Sequence, residues 1–156
     1  MTHIVGALLV LRRTFKDNFH MNPSMKITYT GDLHCEALHI KSNSRIATDA
    51  PVDNKGKGEA FSPTDLTCVS LATCIITTMA ISAQAKNIAF GKVEAEIEKI
   101  MADQPRTIAE IKIDLKISGV QWTEKEKDIM ENIAHTCPVA RSLHPSVKQT
   151  VTFHYF

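Results

Sequence analysis

Two hydrophobic periods alternate along this chain, with one long uncharged block between them. Lys26 to Tyr29 reads as a short strand, and Asp32 to Lys41 as a second, with Leu33, Cys35, Ala37 and His39 on one face. Ser42-Asn43-Ser44 carries turn chemistry, so Arg45 to Thr48 returns as a third strand. Asp49 to Glu59 holds a proline, two glycines and several charges, and reads as a surface loop. Ser62-Pro63-Thr64-Asp65 then starts a helix: Ser62 can cap, Pro63 suits the first helical position, and Asp65 stands where a capping-box carboxylate stands. Leu66 to Ala85 contains no charged residue. Its length would suit a membrane span. Four Thr, two Ser, two Cys and one Gln argue against that, and no similar stretch occurs elsewhere. The pattern instead predicts a central helix buried inside a soluble fold, with Ala72, Thr73, Ala80 and Ala83 small enough for close packing.

Beyond it, Val93, Ala95 and Ile97 alternate with Glu94, Glu96 and Glu98, which is a half-buried strand. Asp103 to Arg106 is a turn, and Ile111, Ile113, Leu115 and Ile117 mark the inner face of the returning strand. Thr123 caps a second helix with Glu126 at the box position, and Ile129, Met130 and Ile133 form its apolar face. Pro138 interrupts that helix, which restarts and runs to about Leu143. Lys148 to Phe156 closes as a strand. Strands, one helix, a hairpin, helices and a strand, in that order, predict an α+β class with antiparallel sheets around the buried helix rather than alternating βαβ units.

The N-terminus carries an apolar run, Ile4 to Leu11, followed by Arg12 and Arg13. A secretory signal has its positive charge before the apolar run, not after, and this run is far too short to cross a bilayer. Residues 1–24 are expected to be a disordered extension, and residues 25–156 one domain.

Composition narrows the function. The chain has 156 residues, 44% hydrophobic and 22% charged, with 18 basic residues against 17 acidic. That is ordinary globular usage, enough chain for a core without disulfide staples, and no footprint for nucleic acid or an anionic membrane. The substrate is expected to be small or weakly charged. Four cysteines, Cys35, Cys68, Cys74 and Cys137, are too sparse for a secreted disulfide scaffold, and no C-x-x-C occurs. A cytoplasmic setting follows as the expectation.

Among these, Cys137-Pro138 is the most informative pair. Proline at the first helical position makes Cys137 the N-cap, so the amides of Val139 and Ala140 face its sulfur and favour thiolate, with Arg141 one turn on. The alternative is an inert capping thiol. Cys74 alone would pass as core filler. Cys68 lies about 240° from it around the helix, so the two cannot pair, and Cys137 is the natural partner. His135 and His144 flank Cys137 and could act on its proton. His34, Cys35 and His39 raise a metal site, but His34 points to the opposite strand face and no second cluster supplies ligands. No metal or other cofactor is expected.

Two segments, Phe61-Ser62-Pro63-Thr64-Asp65-Leu66 through Cys74 and His135-Thr136-Cys137-Pro138-Val139, make the chain resemble the family of osmotically induced (OsmC) and organic hydroperoxide resistance (Ohr) proteins. The element order matches over about residues 25–156. The resemblance implies an α+β fold assembled as an intertwined homodimer around its apolar helices. It implies a cysteine-dependent peroxidase reducing organic hydroperoxides or hydrogen peroxide in the oxidative stress response, with an external dithiol as reductant. In that scheme Cys74 attacks the peroxide and Cys137 resolves the sulfenic acid as a disulfide. One position departs from the family: Thr64 stands where typical peroxidase members carry Glu, paired with an Arg from the N-terminal sheet. Asp65 follows one residue later, rotated about 100°, and Arg45 is the only arginine in the predicted N-terminal strands. These two are the candidates for the carboxylate and the guanidinium. The alternative function is a non-catalytic small-ligand-binding or redox-sensing protein on the same fold.

Overall fold

A hairpin-built sheet, a long helix and a second sheet follow one another along residues 22–156, the part of the chain that the structure, a computed structural model, describes. The expected extension lies outside the described residues, apart from residues 22–24.

Strands β1 (Met25–Gly31), β2 (His34–His39) and β3 (Ser44–Asp49) form the first sheet in sequential antiparallel order. β2 is shorter than its alternation suggested. Gly31, Asp32 and Leu33 all take positive φ to make the β1–β2 turn, which removes Leu33 from the strand. Asn43, also at positive φ, makes the β2–β3 turn. Asp49 ends β3 buried: it pairs with His34 Nδ1 and accepts the Glu59 N–H at 2.8 Å, which ties down the loop between them. The joint to the rest of the chain is the Thr48–Phe61 bridge.

Helix α1 (Pro63–Ala85) begins as the sequence dictates. Ser62 accepts the Asp65 N–H and Asp65 accepts the Ser62 N–H. Such a cap stabilises by about 1 kcal/mol. Strands β4 (Lys92–Asp103) and β5 (Arg106–Ser118) form a long antiparallel hairpin, and helices α2 (Glu124–Ala134) and α3 (Pro138–Ser142) lead to β6 (Lys148–Tyr155). The α2 cap pairs Thr123 with Glu126 in the same reciprocal way. Leu71, Ile75 and Met79 of α1, Ile111, Ile113, Leu115 and Ile117 of β5, and Met130 of α2 are fully buried and form the core.

Two expectations are corrected. The second sheet is mixed, because β6 lies parallel to β5. The α2–α3 connection is long enough to carry the chain back and re-enter in the same direction. The central helix is buried on one side only. Ser70, Thr73, Thr77, Ile81 and Gln84 form an exposed stripe at helical spacing, without a single charge. The absence of charge marked a covered helix, but among the described residues nothing covers this stripe. Pro63–Ala85 is also the one described helix long and apolar enough to cross a membrane by length and composition. Its buried face packs on β4, β5, α2 and α3.

Candidate active site

Two cysteines meet where α1 passes the start of α3. Cys74 sits midway along α1, partly buried, on the side facing α2 and α3. Cys137 reaches it because α2 ends at His135 and the chain turns through Thr136, while Pro138 restarts a helix that Cys137 caps. The Cys137 backbone is extended, and its sulfur accepts the Ala140 N–H at 3.4 Å. Gln149 of β6 bonds the Ala140 carbonyl at 3.0 Å and holds the short helix against the sheet. Both thiols are free.

Their environments separate them. Cys137 is completely inaccessible, and burial pushes its thiol up. The Ala140 and Val139 amides pull the other way, but the neighbouring Cys74 sulfur adds to the rise. Burial acts on Cys74 too, yet it is outweighed. The Val139 N–H, the Cys137 thiol and the Thr78 hydroxyl all face the Cys74 sulfur, and together they bring it below the usual thiol range. The sequence had pointed to Cys137 as the thiolate. The structure reverses this because the cap position that supplies amides also seals Cys137 from water, and one of those amides, Val139, also serves Cys74.

The other candidates lie elsewhere within the chain. Asp65 is about two and a half turns from Cys74, ~13.5 Å along the axis and on the opposite face of α1. It is held by the cap and by Lys99 Nζ of β4, which also donates to Thr64 Oγ1 at 2.9 Å and Ser62 Oγ at 3.1 Å. Burial opposes ionisation of Asp65, but these hydrogen bonds win and lower its pKa. Arg45, 63% exposed on β3, faces Glu36 at 3.8 Å. His135 and His144 are exposed, and His144 bonds Ser146. His34 pairs with Asp49, and His39 with Ser42 at 2.6 Å. A cavity of about 390 Å³ lies at the start of α1, lined by Tyr29, Cys35, Ser62, Thr64, Met101 and Arg106 among others. Another of about 490 Å³ is lined by Phe61, Asp65, Cys68, Val69, Ile97 and Lys99. Neither contains Cys74 or Cys137.

Two contributors were missed from the sequence. Lys99 shares strand parity with Val93, Ala95 and Ile97, so a charge on the inward face of β4 was its available signal. Thr78 is four residues from Cys74, hence one turn along the same face.

This constellation can carry two-cysteine redox chemistry: one thiol with lowered pKa, one neutral neighbour able to donate to it, and no ionised side chain required. The sequence profile of the OsmC-like protein family matches residues 56–152. No functionally curated protein matches the chain. Among solved structures, the chain is 45% identical to a Psychrobacter arcticus protein assigned to osmotic stress induction and detoxification response, with a TM-score of 0.82 over 88% of this chain and 99% of that one. An OsmC-like protein of Mycoplasma pneumoniae is 21% identical, TM-score 0.70, over 86% of this chain and 99% of that one. The organic hydroperoxide resistance protein OhrB of Bacillus subtilis is 16% identical, TM-score 0.59, over 83% and 97%. The last two show the fold alone.

Proposed function

Because this chain belongs to the OsmC-like protein family, we propose that it is a cysteine-dependent thiol peroxidase acting on organic hydroperoxides or hydrogen peroxide in the oxidative stress response. The Cys74 thiolate attacks the distal peroxide oxygen and the O–O bond breaks. The leaving alkoxide takes a proton as alcohol, and Cys74 becomes sulfenic acid. The Cys137 sulfur then attacks the Cys74 sulfur, and the S–S bond forms. The hydroxide that departs leaves as water with the Cys137 proton. An external dithiol returns both thiols.

The observation that carries this reading is the opposite tuning of the two adjacent thiols. The lowered one is the partly accessible Cys74, and the raised one is the sealed Cys137. A neutral Cys137 suits the resolving role, since it can donate to the Cys74 thiolate first and release its proton later. The site works in a homodimer. The uncharged α1 stripe and the exposed apolar face of the first sheet (Met25, Ile27, Tyr29, Ile46) are the surfaces a second copy would cover. One equivalent of cumene hydroperoxide, followed by a thiol count and peptide mapping, tests the reading. Loss of two thiols with a Cys74–Cys137 linkage is expected. Unchanged thiols after hours would overturn it.

A second reading rests on a separate observation. Thr64, Asp65 and Ser62 are occupied by Lys99, and the cavity of about 390 Å³ beside them lies away from both thiols. A ligand-binding or redox-sensing protein would use that cavity and leave the thiols slow toward peroxide.

A further inference from the structure

Helix α1 carries five threonines, and four of them are accounted for without the thiols. Thr64 takes part in the cap and receives Lys99. Thr67, Thr73 and Thr77 each return their hydroxyl to the carbonyl one turn earlier, on Pro63 at 3.2 Å, Val69 at 2.8 Å and Thr73 at 2.8 Å. This is the usual fate of a helical threonine hydroxyl, which otherwise lacks a partner.

Thr78 breaks the series. The carbonyl it would return to is that of Cys74, and the Thr77 hydroxyl already shares that oxygen at 3.2 Å. Among the described residues, the Thr78 hydroxyl bonds no carbonyl. Its partner is the Cys74 sulfur, 4.0 Å away. Residues four apart stack on one helix face, so a threonine one turn C-terminal to a cysteine can reach back along the axis to the sulfur.

We propose that Thr78 is a hydrogen-bond donor to the reacting sulfur, freed for that role by Thr77, so that Cys74 takes neutral donors both from its own helix and from the start of α3. The sulfur then has three neutral donors: Val139 N–H, the Cys137 thiol at the cap of α3, and Thr78 from its own helix. No charged side chain of α2, α3 or the second sheet acts on it among the described residues. Neutral donors of this kind lower the cost of a thiolate.

The inference deepens the peroxidase reading and rests on it for its catalytic consequence. The contact itself is testable without peroxide. Thr78→Val keeps the shape and removes the hydroxyl, Thr78→Ser keeps the hydroxyl, and Thr78→Ala removes the hydroxyl with less volume. Alkylation of Cys74 by iodoacetamide, resolved by mass spectrometry over pH ~5 to ~10, reports the thiolate fraction at that residue alone. Thr78→Val is expected to raise the midpoint by about half to one pH unit and slow alkylation at neutral pH by about three- to tenfold. Thr78→Ser stays at the wild-type profile, and Thr78→Ala follows Thr78→Val. A valine or alanine profile superimposed on wild type, with circular dichroism unchanged, overturns the proposal. So does a serine variant that shifts as far as valine, which would make the role one of volume. Cumene hydroperoxide on the same proteins separates the two claims. If wild-type thiols ignore peroxide while valine still shifts alkylation, the peroxidase reading fails and the Thr78 contact stands.

Discussion

Replacing Lys99 by Met tests what the start of α1 is built for. The methionine keeps most of the aliphatic stem and its packing and removes only the ammonium. The Lys99 side chain is 19% exposed, and its ammonium reaches three oxygens, on Ser62, Thr64 and Asp65. Charge-assisted hydrogen bonds of this kind contribute ~1.5–3 kcal/mol when dry. Asp65 is 39% exposed, so solvent screening reduces its share. A net loss of about 1–2 kcal/mol at neutral pH is expected, and about 2–5 °C in Tm for a chain of this size. The loss should depend on pH. Asp65 is held below the usual carboxylate range in the folded state. Its contribution is therefore fully present above the unfolded value, ~3.9, and is lost as pH falls through the depressed folded value. Urea denaturation of both proteins between pH ~7 and pH ~2.5 should show the gap narrowing at the acid end, leaving only what the two hydroxyls contribute. A gap of constant size across that range would show that Lys99 acts through packing. No gap at all would show that the cluster does not stabilise the helix start.

Other outcomes follow from the thiol geometry and the exposed faces. Cys137→Ser keeps a capping oxygen at the α3 start, so it should fold, and cumene hydroperoxide should leave a dimedone-reactive sulfenic acid on Cys74; a disulfide from Cys74 to Cys35 or Cys68 instead would assign resolution elsewhere. In the wild-type protein, iodoacetamide should modify Cys74 from a lower pH than Cys137, since the first is lowered and the second raised and sealed; the reverse order under native conditions would refute the tuning. Ile81 is 67% exposed and is the large apolar residue of the uncharged stripe. Ile81→Asp should give a folded monomer by light scattering where wild type gives a dimer, and an unchanged mass would place the interface elsewhere.

Period and capping chemistry made most of the fold legible. Ser62 with Asp65, and Thr123 with Glu126, are local devices, and both form as written. The Ile111–Ile117 alternation faces the core without exception. What stayed hidden depends on partners distant in sequence. The parallel β5–β6 pairing is decided by how α2 and α3 return the chain, and no residue of Lys148–Tyr155 encodes that direction by itself. The extent of α1 burial is hidden for a related reason: an uncharged helix reports that its faces avoid water, not which molecule covers them.

The thiols make the point most sharply. Cys137-Pro138 is a strong local signal because proline fixes the cap and the cap fixes the amides. Local reasoning therefore assigned the low pKa to Cys137. Two non-local facts invert that assignment: the core closes over Cys137, and α1 brings Cys74 against the same short helix, within reach of Val139 and Thr78. A cap is thus shared between two sulfurs, and burial decides on which of them a charge costs less. Under the proposed peroxidase reading, the partly accessible sulfur would meet the peroxide and the sealed one would wait behind it. In that cycle over-oxidation would be limited as long as Cys137 stayed closer to the new sulfenic acid than a second peroxide could come.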